Sequence, residues 1–322
     1  MAIGVGARAL GMGKAYVGVA EDGDAIFMNP AGIARINNPK LASMYTSLMG
    51  DVNYVVVGGA YPTGNRSAVG LGWISASTGD ITLTSVAGTV EAGKGTWGNN
   101  VLFLSYGTYL PQQLLQRDVL VGANLKYYSV GGDGSSTITS ANGTGYGVDL
   151  SMLYPATNYL LVGANYQNAI GGKITNKTSG ATDDLAQNLK LGTKITLLGR
   201  EGEAAAVHNT RKLYANVDYD LAMNGSRANV LHLGTEFWPT SNLALRAGSD
   251  NNELTAGLGL RYSGIEFNYA YHPYAGINED ATHFFSIGYL GEATKRALRV
   301  QVDSPADKSV IHEDSVKVKG RV

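Results

Sequence analysis

Residues Leu185–Leu197 read "LAQNLKLGTKITL". From Asn188 onward the letters alternate. Leu189, Leu191, Thr193, Ile195 and Leu197 share one side of an extended chain, and Asn188, Lys190, Gly192, Lys194 and Thr196 share the other. Such a strand has one favourable register. If hydrocarbon bathes its apolar side, a slip by one residue turns Lys190 and Lys194 into it, at about 2–4 kcal/mol for each cation.

The same form repeats along the chain. In "TRKLYANVDYDLA" (210–222), Leu213, Ala215, Val217, Tyr219 and Leu221 oppose Lys212, Tyr214, Asn216, Asp218 and Asp220. In "ELTAGLGLRYS" (253–263), Leu254, Ala256, Leu258, Leu260 and Tyr262 oppose Glu253, Thr255, Gly257, Gly259 and Arg261. In "IEFNYAYH" (265–272), Ile265, Phe267, Tyr269 and Tyr271 oppose Glu266, Asn268, Ala270 and His272. Turn signals such as Asn224-Gly225, Pro239-Thr240-Ser241-Asn242 and Gly264 separate these runs from their neighbours. Similar runs recur, for example at 40–49, 53–61, 159–168, 228–238 and 283–290, and counted this way the whole chain holds about fourteen strands.

A soluble β-sandwich also alternates, but its strands average about five to six residues. Here they run near ten, the length that crosses a bilayer at about 45° tilt. Tyr262, Tyr271 and Tyr289 sit toward strand ends, where an aromatic girdle lies. In hydrocarbon every backbone polar group needs a partner, and only a closed cylinder of strands leaves no edge. The pattern therefore predicts an all-β fold: a closed antiparallel transmembrane β-barrel of about fourteen strands. Five connections, Ser77–Asn99, Gly131–Gly143, Ile170–Asp184, Gly199–Asn209 and Pro273–Ala281, read as long loops gathered largely at one end. Within the first, "DITLTSV" (Asp80–Val86) reads as an extra hairpin arm.

Composition agrees. Of the 322 residues only 16% are charged, against about 25% in soluble domains, while 43 are glycine and 19 tyrosine. A net charge of −1 gives no basis for a nucleic-acid partner. With no cysteine, thiol catalysis and the usual zinc sites are excluded. No apolar run reaches the roughly eighteen residues of a spanning helix, and the N-terminus has no signal-peptide pattern, so the expectation is a barrel whose signal peptide is already removed. The five histidines have no metal-ligand spacing, and neither a Gly-x-Ser-x-Gly elbow nor an HExxH motif occurs. The reading is no catalytic residue, no metal and no cofactor. Inward-facing polar positions are assigned to Lys126, Lys190, Lys194, Asp218, His232, Glu236, Arg261, Glu266 and His272.

The opening stretch, "GVGARALGMGKAYVGVAEDGDAIFMNPAGIARINN" (4–38), invites a phosphate-loop reading. Arg8 and Ala15 stand where a Walker loop needs glycine and a hydroxyl, and too few residues precede Gly6 for a dinucleotide fold. Gly6-Ala7-Arg8, Gly11-Met12-Gly13, Ala15-Tyr16, Asp22, Asp24 and Asn29-Pro30-Ala31-Gly32, followed directly by long alternating strands, resemble the start of FadL-type outer-membrane barrels, most closely the PorV/PorQ branch associated with type IX secretion. Lys14 departs from that pattern, where a small residue is more usual.

The resemblance implies an N-terminal plug over 1–38 folded into the lumen of a barrel over 39–290. Its motif residues would be Gly6, Arg8, Gly11, Gly13, Asp22, Asp24, Asn29, Pro30, Ala31 and Gly32. Inward glycines at 122, 163, 192, 234, 257, 259 and 288 would make room for it, and Arg8 would pair with Glu236 or Glu266. Residues 291–322 form a C-terminal extension that resembles the first strands of a bacterial immunoglobulin-like module.

Two functions follow. By resemblance to PorV, the chain would be a non-enzymatic outer-membrane component or anchor of a secretion or surface-attachment assembly, with protein partners on its external loops or C-terminal arm and lipid or lipopolysaccharide around it. The alternative is a FadL-like transporter of a hydrophobic small molecule. Transport requires an apolar pocket beside the plug and a break in the wall, and the inward faces assigned above are rich in Lys, Asp, Glu and Asn, which favours the first.

Overall fold

A computed structural model of the chain describes residues 3–48, 51–64, 66–84, 90–110, 117–199, 211–224, 228–274, 282–291, 301–304 and 319–321. Residues up to Gly291 form one compact unit and Glu292–Val322 a second. The first contains β1 (Lys40–Leu48), β2 (Val52–Gly64), β3 (Ser67–Thr84), β4 (Val90–Tyr109), β5 (Leu120–Asp133), β6 (Gly143–Pro155), β7 (Leu160–Asn176) and β8 (Thr182–Asp184). It continues with β9 (Asn188–Leu198), β10 (Lys212–Ala222), β11 (Val230–Trp238), β12 (Leu243–Asp250), β13 (Glu253–Tyr262), β14 (Ile265–His272) and β15 (Thr282–Tyr289).

Each long strand pairs antiparallel with its neighbours in sequence. The ring closes where β1 meets β15, from Leu41↔Tyr289 to Tyr45↔Phe285. Fourteen strands make the cylinder, and the short β8 adds to the outer part of β7. The two-residue turns at Asn251-Asn252 and Ser263-Gly264 all have positive φ, the conformation that matches the twist of tight hairpins.

The faces follow the alternation. Outward side chains are apolar and exposed, as at Leu71 (67%), Leu254 (75%) and Tyr262 (76%), whereas Lys190, Lys194, Asp218, Glu236 and His272 are buried inside. A water-facing belt of this kind would be unfavourable, while in a bilayer it is the matching surface. Lys190 and Lys194 pair across to Asp220 and Asn216 in the β9–β10 register, which keeps both cations off the hydrocarbon.

The connections differ from expectation in three ways. Ser77–Asn99 is not a loop: β3 and β4 stay paired to Thr84↔Val90, forming one long hairpin that absorbs the expected arm as far as it is described. Residues 131–143 and 170–184 are partly strand, with a short helix α1 at Ser136–Ser140 in the first and β8 in the second. Finally, 199–209 joins β9 to β10, and strand direction alternates, so it lies at the opposite end from the other four; residues 200–210 and 275–281 themselves lie outside the described residues.

Of the second unit, Gln301–Ser304 and Lys319–Arg321 form an antiparallel pair. The remainder of the expected immunoglobulin-like extension, with His312, lies outside the described residues, as does His208.

Candidate functional site: the luminal segment and its cavity

Residues 3–36 lie inside the cylinder and are almost wholly buried. A short helical turn, Ala7–Leu10, follows Gly4 and Gly6, both at positive φ; a side chain at Gly6 would collide with the Asp24 carboxylate. From this turn Arg8 reaches the β11 wall. Its Nε and Nη2 donate to Glu236 Oε1 and Oε2 at 2.9 and 2.7 Å, while Nη1 donates to Asp22 at 2.9 Å and Nη2 also to Glu21 at 2.6 Å.

Glu236 is shared, because Arg246 Nε donates to the same Oε1 at 2.8 Å. Arg246 continues the network to Asn268 at 2.7 Å and Glu266 at 3.4 Å, and Arg261 closes on Glu266. Arg8 therefore takes Glu236; Glu266 belongs to Arg246 and Arg261. Burial works against the Glu21 carboxylate, but Lys194, at 2.9 Å, and Arg8 outweigh it and hold its pKa well below the usual carboxylate range. For Asp24 burial first, then the neighbouring Asp22, outweigh Arg8 and push its pKa well up.

The segment's backbone is fastened at several points. Asp218 Oδ2 accepts the N–H groups of Tyr16 and Val17, each at 2.7 Å. Asn124 and Asn165 donate to the carbonyls of Ile26 and Met28 at 2.9 and 2.8 Å. These bonds satisfy groups that would otherwise be buried without partners. The Asn-Pro-Ala-Gly motif has a local cause: Asn29 caps the 3-10 helix Pro30–Arg35 by accepting from Ala31 N, and proline sits at the first helical position, where no N–H is needed.

Close approach explains most inward glycines. A Cβ at Gly122, Gly163 or Gly234 would stand 2.3–2.5 Å from Ala31 N, Val17 O or Met12 O, and Gly257 faces Gly11 Cα to Cα. Gly192 clears space for the Asp218 carboxylate and for Val17. Two positions differ. Gly259 makes room for the Arg246 guanidinium, and Gly288 has only strand carbonyls nearby.

Lys14, the departure from the motif, has positive φ and reaches Asp250 at 2.6 Å. Burial nevertheless lowers its pKa, with Asp250 opposing the shift. Asp250 also meets His232 Nδ1 at 2.9 Å and His272 Nε2 at 2.8 Å, and Lys190 pairs with Asp220. Lys126 pairs with Asp149 at 2.5 Å.

Beside the segment is a cavity of about 450 Å³, within the range of small-molecule sites. Lys14, Lys126, Lys190, His232 and their carboxylate partners form part of its lining, and Phe27, Met28, Ile74 and Phe103 form an apolar part. Phe27 lies on the helical turn Ala25–Met28, seats its ring on Gly58 and Gly72, and meets Phe103 edge to face at 5.1 Å. Sequence reasoning missed these apolar residues. The available signal was the run "NYVVVGGAY" (53–61), whose inward Tyr54 and Val56 are as apolar as its outward Val55 and Val57.

At one side of the cavity the wall loses its regular pairing. Between β6 and β7, Leu150↔Tyr166 is followed by Val148↔Ile170, so three β7 residues face Asp149 alone. Within this bulge Asn168 has positive φ; its N–H donates to Asp149 at 2.8 Å and its Oδ1 accepts from Tyr128 at 2.9 Å. On the other edge, β7–β9 pairing ends at Gln167↔Asn188 and β7–β8 pairing starts only at Lys173↔Asp184.

No protein-family profile and no curated protein sequence matches the chain. Solved structures do. The Pseudomonas putida toluene transporter TodX superposes with a TM-score of 0.55 at 13% identity, covering 88% of this chain and 96% of TodX. The Ralstonia pickettii toluene transporter TbuX gives 0.54 at 14% identity, over 89% and 97%. A Pseudomonas aeruginosa FadL homologue gives 0.51 at 13%, over 88% and 97%. Such identities speak to architecture, and on that level the chain has the fold of the FadL-type outer-membrane channels.

Proposed function

We propose that the chain is a non-enzymatic outer-membrane channel that passes an apolar small molecule from its lumen toward the bilayer. The observation that carries this reading is the cavity bounded by Phe27, Met28, Ile74 and Phe103 next to the luminal segment. The β7 bulge at Asn168 supplies the interruption of the wall that such a route requires. The luminal segment is then a plug, and Arg8, Asp218 and the asparagines fasten it. The charge that weighed toward a secretion role is held in compact pairs and leaves the apolar wall free. Similarity in fold to channels described for toluene supports the same class of cargo.

The test is uptake of N-phenyl-1-naphthylamine, an uncharged aromatic dye, by Gram-negative cells producing the chain. Faster accumulation than in cells without it is expected, and Ile74→Trp, which fills the cavity, should abolish the gain while the barrel still assembles. Equal uptake in all three would defeat the proposal.

A second role, anchoring a PorV-like secretion or surface assembly, draws support from the separate C-terminal unit. Proteins co-purifying with the full chain, and lost when 292–322 are deleted, would establish it.

A further inference from the structure

The cations that line the cavity are Lys14, Lys126, Lys190 and His232, and each already faces a carboxylate. Lys126 lies 2.5 Å from Asp149, Lys14 2.6 Å from Asp250 and His232 2.9 Å from Asp250, while Lys190 is bonded to Asp220. Glu253 adds another acid to the lining. A ligand carboxylate would have to displace one of these partners. The displaced anion would then remain in a poorly hydrated interior, and removing one member of a buried pair costs about 3–5 kcal/mol. An uncharged ligand disturbs no pair.

A neutral polar contact is available. Gln167 lines the cavity at the bulge, and its side-chain amide makes no hydrogen bond to another described residue. It offers one acceptor and two donors to the same cavity that Phe27 and Phe103 line. We infer that the cavity takes uncharged amphiphiles, an aliphatic or aromatic body with a hydroxyl head, and rejects the corresponding carboxylates. This rests on the transport reading above and sharpens its substrate class.

The experiment is calorimetric titration of the full chain in detergent micelles at pH 8 with decan-1-ol and with decanoate, against empty micelles. Decanol should bind at least about tenfold more tightly, a difference of about 1.4 kcal/mol. Asp149→Asn releases Lys126, so the preference for decanol over decanoate should shrink at least about fivefold (about 1 kcal/mol) in that variant. If the variant does not fold, wild type at pH 4, where much of the decanoate carries a proton, should bind it nearly as well as decanol. Decanoate binding wild type at pH 8 as tightly as decanol would overturn the inference and leave transport standing. Binding of neither would remove both.

Discussion

The two halves of the cylinder wall do different work. On β9–β14 the inward side chains include Lys190, Lys194, Asp218, His232, Glu236, Arg246, Glu266 and His272; Lys194, Asp218, His232 and Glu236 bond the first part of the luminal segment directly, while Lys190, Arg246, Glu266 and His272 pair within the wall. On β2–β4 the inward positions Val56, Gly58, Gly72, Ile74 and Phe103 are apolar and cluster with Ile26 and Phe27 through surface contact, and Tyr54 adds one hydrogen bond, donating its hydroxyl to Gly4 O at 3.0 Å. Charge-assisted bonds are directional and expensive to break, whereas apolar contacts are exchangeable for any apolar surface. The segment's contact with the β9–β14 wall is thus directional, whereas the contact of Ile26 and Phe27 with the β2–β4 wall is one that another apolar surface could also make.

The largest expected effect comes from attacking the directional side. Glu236→Ala leaves Arg8 and Arg246 sharing a site without their common carboxylate, and stability should fall by about 3–5 kcal/mol. Thermal unfolding in micelles measures it, and a loss below about 1 kcal/mol would mean that the network does not anchor the segment.

Phe27→Ala tests the exchangeable side. Truncating a buried phenylalanine costs about 3–5 kcal/mol, and the cavity already adjoining this ring places the loss at the low end. The same variant should admit bulkier apolar dyes than wild type in the uptake assay. Reduced uptake would show that the ring is needed to seat the ligand.

Asp24→Asn is the subtlest. Because burial and Asp22 raise the folded-state pKa of Asp24, its neutral form favours the folded state at low pH. That contribution is lost as pH rises past the ordinary carboxylate range. The variant should therefore match wild type at acid pH and exceed it by about 1 kcal/mol or more at pH 8, since each tenfold change in an acidity constant between the unfolded and folded states is worth about 1.4 kcal/mol. A pH-independent difference would contradict this.

Much of the charged wall was legible in the letters. In β9, β10, β13 and β14 apolar and polar residues alternate without interruption, so the inward faces could be named beforehand, and the resemblance of the opening stretch offered Glu236 as one of two partners for Arg8. The apolar wall was not, for a physical reason: Val56, Ile74 and Phe103 alternate with outward Val57, Trp73 and Leu104, so the period-two contrast disappears where lumen and lipid are equally apolar. The long β3–β4 hairpin was hidden for the opposite reason. Its outer stretch, "STGDITLT" (77–84), is mostly polar and short in apolar contrast, which reads as loop. The β7 bulge depends on Asn168 meeting Asp149 of β6 and Tyr128 of β5, 19 and 40 residues away in sequence, and no local signal encodes that.

That the luminal cavity holds an apolar ligand is tested most directly by a crystal structure of the chain soaked with iodobenzene, located by the anomalous signal of iodine. A peak is expected inside the cylinder, in contact with Phe27, Ile74 or Phe103. Peaks confined to the outer apolar belt, with the interior cavity empty at saturating ligand, would contradict it.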